Sequence, residues 1–382
     1  MDIATLEKEF PIKKQVAYLN NASYTPMFGS AISEATRQLR RFSENGPDDA
    51  FYLTFRGGAN AAREKLGALL NAHPQGFVFA DSATQSINLV ANGFKFRKGD
   101  AIVTRGGQTT EHPSDYLPWL HYAKAKGVAV RDVPVDSAGV PDLADLESAV
   151  RETKAKLVVT SHVVYNLGTV EPAKEMCKVA HENGAAFFLD VSQSVGNVQV
   201  DLGSIGADFA AGTASKWLCG PLGVGFLYST EAASALLEPV SYGANATEYV
   251  DNTNYRDLTG AARMQEGFRN WAYVYAFATA IDLWGSVGLE KVRETGMKLA
   301  RAIVEEVSTL RRYKVLVDFD DGRRTPIVPV ETLEETPNDV VQRGLKARVT
   351  VAQREFGRKK ILRISPHFYN DESEVERLKG IL

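Results

Sequence analysis

Cysteine is scarce: Cys177 and Cys219 are the two in a chain of 382 residues. Two thiols do not make a disulfide framework, and their scarcity suits a reducing compartment, so a cytoplasmic protein is expected. Long apolar runs are also missing. No stretch of about eighteen apolar residues occurs, which excludes a membrane-spanning helix as the reading of any segment. Met1 to Lys8 lacks the basic-then-apolar order of a secretory signal. Charge of one sign is lacking too, with 44 Lys and Arg against 47 Asp and Glu and a formal net charge of -3. The basic clusters Arg311-Arg312 and Arg358-Lys359-Lys360 are short, so no nucleic acid and no membrane is expected as a partner. No glycine fingerprint stands between an early strand and a helix, which sets aside a nicotinamide-dependent dehydrogenase.

The remaining composition, 44% hydrophobic and 24% charged, is that of an ordinary globular enzyme. The length allows one large domain and a smaller one. We expect residues 1–30 to form an arm contributing to the small domain and the site, residues 31–255 the large domain, and 256–382 the small one. Amphipathic helices are expected near 31–44 and 59–71. From 77 onward short apolar runs alternate with helical patterns: strands at 77–80, 101–104, 128–135 and 157–162, helices at 142–152 and 172–183. That alternation predicts an α/β fold with a doubly wound, mostly parallel sheet. Beyond about 255 the order changes to helices near 270–284 and 288–312, then strands at 313–319, 325–331, 349–353 and 361–365. Helices near 338–346 and 371–381 complete a smaller α+β domain.

One stretch, Phe187 to Tyr228, carries the chemistry. Phe187-Phe188-Leu189 reads as a buried strand that ends in Asp190, at the edge where open α/β sheets bind ligands. One crossover later, Phe209-Ala210-Ala211 leads through Gly212-Thr213-Ala214-Ser215 to Lys216, and a turn holding Gly220, Gly223 and Gly225 follows. Either residue alone is ordinary, Asp190 as a strand-end cap and Lys216 as a solvated charge. Together they are what pyridoxal phosphate needs: an amine to hold its aldehyde as a Schiff base, and a carboxylate to keep its pyridine nitrogen protonated. Asp81-Ser82-Ala83-Thr84-Gln85 between a strand and a helix suits a phosphate, though Ser and Thr cap ordinary helices equally well. His112 follows the strand at 101–104, where a flat imidazole can stack on an aromatic ring. The N-terminal turn Tyr18 to Pro26 mixes aromatics with polar groups as a site-lining loop does.

With these motifs the chain resembles the class V aminotransferases of PLP-dependent fold type I, the group that includes cysteine desulfurases, selenocysteine lyases, isopenicillin-epimerase-like proteins and kynureninase. The resemblance runs from about Tyr18 to the C-terminal helix. It implies pyridoxal 5'-phosphate as cofactor, with Lys216, Asp190 and His112 catalytic. Lys216 would hold the Schiff base and shuttle the Cα proton, Asp190 would pair with the pyridine nitrogen, and His112 would stack on the ring. Gln193 would reach the phenolic oxygen. Ala83, Thr84, Thr213 and Ser215 would hold the phosphate. Arg363 would fork onto the substrate carboxylate, with Asn21 and Ala22 beside it. The family's phenolic-oxygen Asn falls at Tyr165, with Asn166 next to it, and both stay open. Ser215 stands where members carry His. Arg269 stands near a position from which a partner subunit reaches the phosphate, so a homodimer with its site at the subunit interface is implied. Tyr24, Arg354, His367 and Tyr369 are further candidates for the substrate pocket.

The substrate implied is a small molecule, an amino acid whose side chain the sequence does not specify. The small-domain loop that carries a cysteine in desulfurases reads Val349 to Gly357 here and has none, which disfavours persulfide chemistry. Among reactions at Cα, transamination needs no further residue and ranks first. A C–S lyase acting by β-elimination comes next, then a desulfurase or an epimerase. A non-catalytic protein of the same fold is the reading from a different class.

Overall fold

The computed structural model describes residues 5, 8–46, 49–267 and 270–382, with side chains at 49–56 outside the description. Its centre is a seven-stranded sheet. In chain order the strands are β1 (Phe77–Ala80), β2 (Ala101–Arg105), β3 (Ala129–Val133), β4 (Leu157–Ser161), β5 (Ala186–Asp190), β6 (Phe209–Thr213) and β7 (Gly225–Ser229). Their spatial order is β1-β7-β6-β5-β4-β2-β3, and β7 alone runs antiparallel to its neighbours. The expectation of a mostly parallel sheet holds. The antiparallel β7 was not foreseen, because Gly225 to Tyr228 reads as the tail of the preceding glycine turn.

These strands are apolar on both faces, as a sheet covered on both sides requires. Phe187, Leu189, Ala210 and Phe226 point into one core cluster, while Phe188, Phe209, Ala211 and Leu227 point into another. Helices cover both: α1 (Gly29–Asn45), α2 (Asp49–Leu70), α3 (Ala83–Gly93), α4 (Pro113–Lys126), α5 (Leu143–Thr153), α6 (Ala173–Glu182) and α7 (Trp271–Val287). The apolar α7 packs between α1 and α2. Helix α8 (Leu289–Thr309) then leads to a four-stranded antiparallel sheet of β8 (Tyr313–Val315), β9 (Val328–Thr332), β10 (Ala352–Phe356) and β11 (Lys359–Ile364), ordered β8-β9-β11-β10. Helices α9 (Pro337–Lys346) and α10 (Glu372–Lys379) pack with it. Ala17–Tyr18 pairs in parallel with Val349–Thr350, and Ala17 and Leu19 sit in the core of this second sheet.

Because β1, β2, β4, β5 and β6 run the same way, their C-terminal ends open on one edge. The segments that follow them all arrive there, which is how distant stretches of sequence come to share one cavity.

Candidate active site

A cavity of about 430 Å³ lies at that edge, lined by residues that follow all five of these strands, by the N-terminal turn and by two arginines of the second sheet. At its floor Lys216 is half-buried, and its amine is pushed down to about 8. Burial is the main cause; the charges of Arg363 and Arg354 push the same way, and Asp190 opposes them. Asp190, at the end of β5, accepts the Ser192 N–H at 2.7 Å. An amine that sheds its proton near neutrality is a nucleophile and then a base.

His112 caps the N-terminus of α4, its Nδ1 accepting the Ser114 N–H at 3.2 Å. Burial, then the charges of Lys216, Arg363 and Arg354, push the imidazole down to about 3, so it presents a neutral ring. Tyr165 meets it edge-on at 4.9 Å between centroids. The turn after β1 is held by Ser82, whose Oγ accepts the Gln85 N–H at 3.1 Å and starts α3. Ala83 and Thr84 therefore face the cavity from a helix N-terminus. The Thr213 and Ser215 hydroxyls, 3.1 Å apart, line the same cavity. Gly225 lets β7 pass against this turn: a Cβ there would lie 2.3 Å from the Ser82 carbonyl carbon.

Arg363, on β11, is buried and reaches the cavity from the second sheet. Its Nη1 donates to the Tyr165 carbonyl at 2.8 Å and its Nη2 to Ser23 Oγ at 2.6 Å, while Nε has no hydrogen-bond partner. Burial pushes this guanidinium well below its usual range. Gln193 lines the cavity with its amide already engaged, Nε2 on the Ala22 carbonyl and Oε1 on the Trp217 indole, both at 2.8 Å.

Of the residues singled out from sequence, Lys216, Asp190, His112, Ala83, Thr84, Tyr165, Gln193, Thr213, Ser215, Arg363, Ala22, Tyr24 and Arg354 all line this cavity. Four others do not. Asn21 faces inward, spending Nδ2 on the Ser365 carbonyl at 2.9 Å and Asn370 Oδ1 at 3.1 Å, while its Oδ1 accepts from Tyr369 at 2.6 Å. Tyr369 is buried by that bond, and His367 lies behind Trp217, bonded to the Trp217 carbonyl at 3.1 Å. Asn166 turns toward β10 and donates to the Glu355 carbonyl, so Tyr165 is the one at the cavity wall. Arg269 lies outside the described residues.

Sequence reasoning missed a buried ionic cluster behind His112. Arg105 is fully buried, with ion contacts of 3.0 Å to Glu111 and 2.7 Å to Glu171. Glu111 accepts the His112 N–H at 2.8 Å and the Ser161 hydroxyl at 2.9 Å; that hydroxyl also lies 3.2 Å from Asp115. One guanidinium cannot balance three buried carboxyls. Arg105 therefore stays charged, and Asp115, with no ion contact to it, is held well above the usual carboxylate range by burial and then by the charges of Glu111 and Asp190. A usable signal was present: Arg105 ends an otherwise apolar strand, where a charge must find a partner.

Neither thiol reaches the site. Cys177 is packed in α6, and Cys219 is buried 3.8 Å from His367 Nε2. Burial raises both, Cys177 to about 12.

The residues fit pyridoxal phosphate: a half-buried amine with a depressed proton affinity, a carboxylate at the strand end beside it, a neutral ring, and a helix N-terminus with two hydroxyls. No group of His, Cys, Asp and Glu among the described residues is arranged to hold a metal, and none of the described helices is long and apolar enough to cross a membrane.

A family model described as aminotransferase class-V matches residues 17–378. A probable cysteine desulfurase of Methanothermobacter thermautotrophicus is 31% identical, the match covering 98% of this chain and 95% of the relative. An isopenicillin N epimerase of Amycolatopsis lactamdurans is 30% identical over 99% of this chain and 97% of its own length. The solved apo structure of a cysteine desulfurase from Thermococcus onnurineus NA1 superposes with a TM-score of 0.91 at 26% identity, covering 100% of this chain and 97% of the other.

Proposed function

The chain belongs to the class V aminotransferase family, whose members are pyridoxal-phosphate enzymes, and from that premise we propose a C–S lyase that releases sulfur from a cysteine-derived amino acid. The observation that carries this reading is the pairing of the Lys216 base with two sealed thiols. Transamination, ranked first on sequence alone, draws no support from the names of these relatives, which are desulfurases and an epimerase. A desulfurase that takes sulfur onto its own thiolate needs an accessible cysteine of low pKa. Cys177 and Cys219 are buried with raised pKa, so the sulfur must leave on the substrate's own fragment.

In this reading Ala83, Thr84, Thr213 and Ser215 would hold the cofactor's phosphate, His112 its ring and Asp190 its pyridine nitrogen. Bound there, it supplies an electron sink for the Cα carbon. Arg363, which lines the cavity and is bonded there only to neutral oxygens, takes the substrate α-carboxylate. Lys216 Nζ, neutral, accepts the Cα proton and holds it while the Cβ–S electron pair departs with sulfur. The pocket keeps His112 uncharged, so it competes for no proton. Pyruvate, ammonia and a reduced sulfur species are the expected products.

The test is direct. The protein reconstituted with pyridoxal phosphate should release pyruvate and an equal amount of the sulfur fragment, sulfide from cysteine and a thiol or persulfide from an S-substituted cysteine, and the Cys177→Ser, Cys219→Ser double variant should do so as well. Amino transfer to a 2-oxo acid without sulfur release would return the reading to an aminotransferase. Inversion at Cα without sulfur release would favour an epimerase, the reading the Amycolatopsis relative supports. We also expect a homodimer, checked by sedimentation.

A further inference from the structure

The cavity holds a second guanidinium that chemistry at Cα does not require. Arg354 stands on β10 opposite Ile361, and Arg363 stands on β11 opposite Ala352. The two are therefore diagonal neighbours on one face of the hairpin, roughly 7–8 Å apart along the sheet. Both line the cavity and both donate to Ser23 Oγ. Their other acceptors are neutral oxygens: the Gln353 and Tyr165 carbonyls at 2.6 and 2.8 Å, and Asn20 Oδ1 at 3.4 Å. Neither is ion-paired to a carboxylate among the described residues. Burial and mutual repulsion push Arg363 down, and burial pushes Arg354 down. Two confined like charges with no counter-anion are costly, and the family's substrate carboxylate answers only one of them.

We propose that the substrate carries two anionic groups, the α-carboxylate on Arg363 and a second one at the far end of a short side chain on Arg354. This rests on the reading above for the place of the α-carboxylate, and it narrows the substrate class to amino acids whose side chain ends in an acid. For a lyase, these are cysteine derivatives with an acidic group beyond the sulfur. Arg354 then selects the substrate; Lys216 performs the reaction whatever the side chain.

The experiment titrates the reconstituted protein, following the cofactor's absorbance, with S-carboxymethylcysteine and with S-methylcysteine, which differ in the distal carboxylate. Wild type should bind the acidic ligand on the order of ten- to a hundredfold tighter, as a charge-assisted contact in a confined site gives. Arg354→Gln should bring that ratio close to one, and Arg354→Lys should keep part of it, each with an unchanged circular dichroism spectrum. Equal affinity of wild type for the two ligands overturns the proposal, as does a ratio untouched by Arg354→Gln. Cystine, aspartate and glutamate serve as further arms. Tight binding of glutamate with no sulfur release from any cysteine derivative would support the second anion site while overturning the lyase reading, so the two failures are distinguishable. No cofactor absorbance in the reconstituted protein would overturn both.

Discussion

Replacing Arg105 with Met should destabilise the protein, and the deficit should grow as pH rises. Arg105 is the one cation of a buried cluster, touching Glu111 at 3.0 Å and Glu171 at 2.7 Å and donating to the Gly139 carbonyl at 3.0 Å. Breaking a buried pair by removing one partner costs about 3–5 kcal/mol, because it leaves charge behind without compensation. Unfolding entropy of about 2 cal/mol/K per residue gives about 0.8 kcal/mol/K over 382 residues, so the thermal midpoint should fall by about 4–6 °C. The pH dependence follows from Glu171, which burial pushes up to about 7 even with Arg105 opposing. A carboxyl whose folded pKa is raised contributes stability that is complete below its unfolded value and is lost as pH rises through the folded value. Without Arg105 the folded value climbs further, so the variant's deficit should be small near pH 5 and largest near pH 8. Thermal melts followed by circular dichroism at several pH values measure it. A deficit that is flat, or that shrinks as pH rises, would refute the argument. Adding Glu171→Gln should recover part of the loss at pH 8, because it removes one of the stranded charges.

Reconstitution of cofactor-free protein should accelerate with pH through a midpoint near 8, the value to which burial brings the Lys216 amine; a midpoint above 10 would mean the amine is solvated. Gly225→Ala drives a Cβ into the Ser82 backbone, at 2.3 Å from its carbonyl carbon, and should cost about 1–3 kcal/mol by overpacking. It should also weaken cofactor binding measured by equilibrium dialysis, since the displaced turn carries Ala83 and Thr84; unchanged cofactor affinity would remove that turn from the phosphate site. Cys219 should resist a thiol reagent in the native protein and react after denaturation, given its burial against His367. Rapid native labelling would show the thiol to be open.

What could be read from the sequence were the features tied to strand ends. Asp190, Lys216 and the turn at Ala83 each follow a short apolar run, and a parallel sheet brings the C-terminal ends of such runs to one edge whatever the side chains nearby. What escaped depended on side-chain direction or on partners distant in sequence. Tyr165 and Asn166 are adjacent, and only the turn closed by the Val163–Val170 bridge decides that one faces the cavity and the other the Glu355 carbonyl. The resemblance placed Asn21 beside the substrate carboxylate, yet Ser365, Asn370 and Tyr369 consume its groups from the far end of the chain. Arg105, Glu111 and Glu171 are spread over 66 positions of sequence, and only the fold brings them into one cluster. β7 was hidden by the glycines before it, which open a turn and also thin the strand where it passes Ser82.

The two arginines of the second sheet also bear on the base. Lys216 is depressed first by burial, and both Arg363 and Arg354 push it the same way. An amine held neutral by neighbouring cations is ready to act as nucleophile, yet it is a poor acceptor for a Cα proton while those cations stay uncompensated. A substrate that places one anion on each guanidinium removes both influences at once, leaving burial against the attraction of Asp190. The proton affinity of Lys216 should therefore rise in part with one anion in place and most with both. In cofactor-free protein a dicarboxylate such as succinate is the simplest stand-in. With it bound, the pH midpoint for reaction of Lys216 with an amine-acylating reagent should move above 8, and acetate, which carries a single anion, should move it less. If succinate binds and the midpoint does not move, the arginines recognise the substrate without tuning the base, and the coupling argued here does not operate.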